Sequence, residues 1–448
     1  MATGIVKGEK LSADALLADS ARTEPYPLPN PDDTISLTYP NKLTQAEVLK
    51  KVEHTYSHIN SDGDCSAVEQ IKPNAFLLAD NFFGLKKLLE NKENKITLIY
   101  FDPPYGTGLE FQSRGLKHAY KDILGAAPWL EFIRRRLILM RELLSDDGSI
   151  YVHIGHQMLF HLKVIMDEVF GSNRFLNLIV RKKCSSKNYT KNQYPNLNDY
   201  ILFYSKNRNY KWNMPSVPAK EDWISKEYPK ADFKGRYKLV PIHAPGVRKG
   251  ETGKQWKGMN PPPGKHWQLI PAKLDELDAA GDIHWSKNGN PRRKVYLAEN
   301  KMLPLTDYWD QYRDAHHQSI KITGYPTEKN IDMLRMIVQG SSDPNDIVLD
   351  PFCGSGTTLQ AARDLNRRWI GIDQSFTAAE ATLKRLRHGL EPMGDYVFEK
   401  NGKNKTAPCK IASLFGPNNT ANQQHFNFIV DADVIQNHPQ EIKILSSI

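Results

Sequence analysis

An apolar run, Leu98-Ile99-Tyr100-Phe101, meets two prolines in Asp102-Pro103-Pro104-Tyr105. A short unbroken apolar run of this kind reads as a strand buried on both faces. The prolines stop it, because each removes a ladder donor and fixes φ. Asp102 and Tyr105 are therefore expected just past the carboxyl end of a central strand, where open α/β sheets bind ligands. Gly106-Thr107-Gly108 follows and lets the backbone bend close to a substrate. Taken alone, the four residues are also a turn holding a buried tyrosine.

The same design recurs along the chain. Ala75-Phe76-Leu77-Leu78-Ala79-Asp80 reads as a strand ending in an acid, and Phe82, Leu85, Leu88 and Leu89 share one face of the helix after it. With the strand 96–101 this makes a β-α-β unit, the building block of a parallel sheet. A helix is expected from Pro128, then a turn at Asp146-Asp147-Gly148, a strand at 149–154, a helix at 158–169 and a strand from Phe175 to Val180. The alternation stops there and resumes at Pro326, with a helix at 330–339, a strand ending at Asp350, a helix at 359–365, a strand ending at Asp373 and a helix at 376–387. The fold class is α/β, with a core assembled from 74–180 and 318–390. Residues 1–73, rich in proline between Pro25 and Pro40, read as an N-terminal extension. Residues 391–448 read as a polar tail of unassigned role with one apolar run, Phe426–Val430.

The second constraint is Asp350-Pro351-Phe352-Cys353-Gly354-Ser355-Gly356-Thr357-Thr358. It joins a strand to a helix through glycines that let a ligand approach the backbone. Asp373 ends the next strand, about 20 residues on, where an acid can bind ribose hydroxyls. A phosphate loop fails because Gly-x-x-x-x-Gly-Lys is missing, and a dinucleotide loop lacks its third glycine. A nucleotide-like cofactor remains. Asp80 and Asp373 are equally helix caps.

Between the halves, residues 181–317 lose the β-α alternation. Basic residues (Lys182, Lys183, Lys187) interleave with aromatics (Tyr189, Tyr200, Phe203, Tyr204, Trp212), a mixture that suits phosphate contact plus stacking or an ordinary domain core. Ile283-His284-Trp285 and Lys294–Leu297 flank Asn288-Gly289, a hairpin signature. Arg292 and Arg293 lie beside it, candidates for phosphate contact before base readout. The net charge of +9 and pI near 9.0 suit a polyanionic partner, though charge alone decides little.

The two anchors and their order resemble the β group of amino-methyltransferases, which methylate an exocyclic nitrogen of a nucleobase. Their Asp-Pro-Pro-Tyr motif precedes the S-adenosylmethionine (SAM) loop, a circularly permuted order. Gly324-Tyr325-Pro326-Thr327-Glu328-Lys329 looks like the segment that closes over the cofactor, with Glu328 where Gln is usual. Trp256-Lys257-Gly258, Pro261-Pro262-Pro263-Gly264 and Tyr308-Trp309 resemble the recognition domain of type III modification subunits. The resemblance implies a Rossmann-like SAM-dependent methyltransferase fold with an inserted target-recognition domain, acting on double-stranded DNA. It implies adenine N6 as the target, since position 102 is Asp rather than Ser. Asp102, Pro103, Pro104 and Tyr105 would be catalytic. Asp80, Pro326, Thr327, Asp350, Phe352, Gly354, Gly356, Thr357 and Asp373 would line the SAM site. A homodimer and a restriction or defence partner are further expectations. The alternatives are a cytosine-N4 methyltransferase and a non-catalytic DNA-binding subunit keeping the fold.

Other chemistries find little support. Cys65, Cys184, Cys353 and Cys409 have no zinc-ligand or redox spacing, so reduced thiols of a cytoplasmic protein and no metal are expected. No apolar run nears the roughly 20 residues of a membrane span, and no secretory leader is visible at Met1. His153, His156 and His161 read as core or surface residues rather than metal ligands.

Overall fold

The computed structural model describes residues 35–60, 62–93, 95–104, 110–112, 118–121, 125–183, 192, 194–312, 328–388 and 425–448. Tyr105, Lys187, Pro326 and Thr327 lie outside them. The chain divides into two compact units, a larger one and a smaller one, Asn213–Thr306.

The strands in chain order are β1 (Tyr56–Ile59), β2 (Cys65–Ala67), β3 (Ala75–Leu78), β4 (Ile96–Phe101), β5 (Glu110–Gln112), β6 (His118–Lys121), β7 (Leu144–Ile154), β8 (Phe175–Lys182) and β9 (Asn198–Ser205). The smaller unit supplies β10 (Ser216–Pro218), β11 (Lys230–Asp232), β12 (Gly235–Pro241), β13 (His243–Pro245), β14 (Lys265–Trp267), β15 (Ile283–Trp285), β16 (Pro291–Tyr296) and β17 (Met302–Pro304). The larger unit resumes with β18 (Tyr308–Trp309), β19 (Ile347–Asp350), β20 (Arg368–Asp373) and β21 (Asn427–Asp431).

One sheet organises the larger unit, in the order β18-β8-β9-β7-β4-β19-β20-β3-β21-β1-β2. Its centre, β7-β4-β19-β20-β3-β21, is parallel throughout. That agrees with the fully buried runs of β3, β4 and β19. Helices Asn81–Glu90, Ala126–Leu143 and Leu159–Phe170 pack in a row, and Ile331–Ser341 packs on Thr357–Asp364. Right-handed crossovers put these two groups on opposite faces of the sheet. The fold is doubly wound, and β4 beside β19 is where the winding reverses. The expected turn at Asp146–Gly148 is a looped-out bulge inside β7: Ile96 pairs with Leu144, yet Leu98 pairs with Ser149.

Three expectations change. The insert begins near residue 213 and ends near 306, not at 181 and 317. The reason is the β8-β9 pair, which extends the main sheet antiparallel to β7. Its Phe203 and Tyr204 are buried in that sheet, so they are core rather than stacking platforms. The N-terminal extension and the tail also join the sheet, through β1-β2 and β21. Phe428, Ile429 and Val430 are the tail's buried apolar residues in that sheet, and Ile442 and Leu445 are buried in its last helix.

The smaller unit holds an antiparallel sheet, β11-β12-β16-β15, and two short strand pairs, β10-β17 and β13-β14. The hairpin at Asn288-Gly289 is present, with Gly289 at φ +74°. A small core of Ile242, Trp256, Trp267, Leu274 and Ile283 supports it.

Candidate functional site

Asp102 follows the last residue of β4, and Asp350 ends β19, the neighbouring parallel strand. Two motifs far apart in sequence thus meet at one end of the sheet. Asp102 Oδ2 lies 2.6 Å from Lys329 Nζ, with both side chains mostly buried. The backbone carbonyl of Pro104 accepts a 2.6 Å hydrogen bond from the Trp129 indole, which fixes the proline loop against the helix Ala126–Leu143.

The loop after β19 is tightly closed on itself. Asp350 accepts from the Phe352 N–H at 3.1 Å and from the Thr358 hydroxyl at 2.5 Å. Asp373 accepts from the Gly354 N–H and the Ser375 N–H, both at 2.9 Å. Thr382 donates to the Gly354 carbonyl at 2.9 Å. Gly356 has φ +70°, and a Cβ there would stand 2.9 Å from the Thr382 hydroxyl, so only glycine fits. Thr357 is buried and its hydroxyl is 2.9 Å from that of Ser355. Phe352 lays its ring on Phe101 and meets Phe132 edge-on.

Burial pushes the Asp350 carboxyl up to about 7, against its two hydrogen bonds and with the nearby Asp102 and Asp373 adding to the rise. Burial likewise pushes Asp373 up to about 6. Among the described residues neither acid has an ion-pair partner. The Cys353 thiol is buried and pushed well above its usual range, which suits packing rather than nucleophilic attack.

Asp80 caps the helix Asn81–Glu90, accepting from the Phe82 N–H at 2.7 Å. It also pairs with Arg136 at 3.1 Å. A cleft of about 670 Å³ opens beside them, lined by Asp80, Phe82, Phe132, Arg135 and Arg136 among others.

The sequence profile of the DNA methylases of the N6/N4 class matches residues 96–384, which spans both anchors. The chain is also 53% identical to the type II methyltransferase M.EcaI of Enterobacter cloacae, over 99% of this chain and 98% of that one. The chain belongs to the DNA methylase family. The Mod subunit of the StyLTI type III restriction-modification enzyme of Salmonella typhimurium is 30% identical over 65% of this chain, which spans half of that subunit's length. Among solved structures, M1.HpyAVI with SAM aligns over 70% of this chain and 98% of its own, at 18% identity and a TM-score of 0.37.

The methyl donor of this DNA methylase is SAM, and the donor set fits it. SAM carries a sulfonium and an ammonium, and two buried carboxyls lacking ion-pair partners among the described residues are sites a cation relieves. The expected residues Asp350, Phe352, Gly354, Gly356 and Thr357 lie in one loop, and Asp373 joins them from the end of β20. Asp80 joins them through Asn81, whose amide donates to the Pro351 carbonyl at 2.7 Å.

Three residues of the methylase escaped the sequence reading. Arg136 sits in an apolar helix, is buried, and ties Asp80 to Asn81 while its guanidinium lies 3.6 Å from the Phe132 ring centre. Trp129 is buried in the helix Ala126–Leu143, yet its N–H holds the Pro104 carbonyl of the proline loop. Lys329 lies in the Gly324–Lys329 segment, where nothing local marks its contact with Asp102. A charged residue on the apolar face of a helix was the one available signal, at Arg136.

The basic candidates fare differently. Lys183 pairs with Asp199 at 2.7 Å and is committed within the fold. Lys182 is partly exposed at the end of β8. On β16, Arg292 is exposed and Arg293 partly so.

Proposed function

We propose that this DNA methylase methylates N6 of adenine at a specific site in double-stranded DNA, with Asp102, Pro103, Pro104 and Tyr105 as its catalytic loop. The carrying observation is the Asp102 carboxylate one strand away from the Asp350–Thr358 loop, at the point where the sheet's winding reverses.

An adenine amino group is a poor nucleophile because its lone pair is delocalised into the ring. Asp102 accepts one amino hydrogen and the carbonyl of Pro103 the other, which favours a pyramidal nitrogen with an available lone pair. Tyr105 stacks on the base once it has left the duplex. Bound SAM supplies an activated methyl group. Asp350, Phe352, Gly354, Gly356, Thr357 and Asp373, with Asp80, Pro326 and Thr327, hold it so that the transfer is in line. The smaller unit reads the target, with its Arg292 and Arg293 on phosphates, joined there by Lys182 and Lys187 of the larger unit.

Adenine is supported by Asp at position 102 and by the likeness to a type III Mod subunit. The likeness to the StyLTI Mod subunit supports a restriction-modification setting with a restriction or defence partner, in the cytoplasm. Among the described residues no helix is long and apolar enough to cross a membrane. The homodimer rests on the resemblance. Nucleoside mass spectrometry of DNA incubated with the protein and SAM tests the base. N6-methyladenine is expected, and N4-methylcytosine alone overturns the reading.

A further inference from the structure

We propose that Lys329 is a positioning residue for the transfer step, holding the Asp102 carboxyl aimed as the acceptor for the amino group of the base. This rests on the reading of Asp102 given above and adds to it the group that orients that carboxyl.

The ammonium of Lys329 lies 2.6 Å from Asp102 Oδ2. Its backbone is fixed on both sides. Glu328, which stands where the family has Gln, forms an ion pair with the fully buried Arg385 of the helix Phe376–His388. Asn330 caps the helix Ile331–Ser341, its side chain accepting from the Asp332 and Met333 N–H groups. Lys329 is therefore presented by a short stretch anchored at Glu328 on the helix Phe376–His388 and at Asn330 on the helix Ile331–Ser341. The Glu-for-Gln exchange is matched by a cation rather than left as a defect.

Asp102 needs such a partner. It shares its end of the sheet with Asp350 and Asp373, and its field helps raise the Asp350 carboxyl. Behind Asp102 runs a buried polar ladder across β4, β7, β9 and β8. The Tyr100 hydroxyl lies 2.8 Å from His153 Nδ1, and His153 Nε2 faces the Asp199 carboxylate at 3.6 Å. A carboxylate only accepts, so the proton sits on Nε2 and Nδ1 accepts from Tyr100. Burial, and then Lys329, keep His153 neutral. Asp199 stays ionised despite burial, through His153 and the ammoniums of Lys329 and Lys183, with Arg181 at 3.8 Å. Lys329 thus contacts the Asp102 carboxyl and also stabilises the Asp199 carboxylate behind it, while the His153 imidazole carries no charge. A carboxylate accepts several hydrogen bonds, so Lys329 can remain on it as the amino hydrogen arrives.

The test is single-turnover methyl transfer at saturating SAM and target DNA for the wild type, Lys329→Met, Lys329→Arg and Asp102→Asn. Lys329→Met is expected to slow transfer about 10²-fold at neutral pH. SAM and DNA affinities are expected to stay unchanged. Lys329→Arg restores most of the rate. A wild-type rate in Lys329→Met overturns the proposal. So does a loss confined to SAM affinity, which would make Lys329 a cofactor ligand. If Lys329→Met melts early, Lys329→Arg decides, and a rate that stays low there overturns the proposal. Asp102→Asn at the wild-type rate is a separate outcome, since it removes the underlying reading.

Discussion

Replacing Arg136 with Met should loosen the cofactor side of the site, and its cost can be worked from contacts. Arg136 donates to Asn81 Oδ1, to Asp80 at 3.1 and 3.3 Å and to the Phe132 carbonyl at 3.0 Å. Burial lowers its pKa to about 10, so it stays charged at neutral pH. Asn81 is only 8% exposed and would lose its donor, which costs about 1–3 kcal/mol. The Asp80 side chain is 39% exposed and would rehydrate, so that pair counts for less than about 1 kcal/mol. The ring contact with Phe132 adds about 1–2 kcal/mol. Relief of the buried charge takes some of this back. The net expectation is a loss of about 3 kcal/mol in urea unfolding. SAM affinity should weaken about tenfold, because Asn81 no longer fixes the Pro351 carbonyl. Arg136→Lys keeps the charge without the planar fork and should recover less than half of the loss. Unfolding within about 0.5 kcal/mol of wild type, with unaltered SAM affinity, refutes the reasoning.

Asp350 gives a pH dependence of definite sign. Its folded pKa of about 7 lies above the ordinary 3.8, so the ionised form is penalised in the ligand-free protein. Its contribution to stability should therefore fall as pH rises from about 4 to 7, and Asp350→Asn should flatten that slope in denaturation curves. A cationic ligand favours the ionised form, so SAM affinity measured by calorimetry should drop up to about tenfold per pH unit below 7. Trp129→Phe removes the N–H that holds the Pro104 carbonyl. It should slow single-turnover transfer about tenfold or more while SAM affinity stays put; an unchanged rate would remove Trp129 from the site.

The parts of this molecule legible in the sequence are those whose signals are local. β3, β4, β19 and β20 each announce themselves by an apolar run closed by an acid or a proline, and the glycines at 354 and 356 mark the loop. The boundary of the insert was not legible, because β8 and β9 carry charges and aromatics that also suit a nucleic-acid surface. Arg181 illustrates this: it reads as one more basic residue of that run, yet it is fully buried and donates to the Tyr312 carbonyl at 2.7 Å. Pairings between distant elements left no local trace either. Tyr100 with His153, Arg136 with Asp80 and Lys329 with Asp102 each depend on which strands and helices become neighbours. The tail run Phe426–Val430 could be seen as apolar, but only the open edge of β3 explains it.

The most direct test is single-molecule sequencing of DNA from cells expressing this chain or its Asp102→Ala variant. N6-methyladenine at one recurring sequence, lost with Asp102→Ala, is the predicted result. Unmodified DNA, N4-methylcytosine alone, or N6-methyladenine that persists in the Asp102→Ala cells would contradict it.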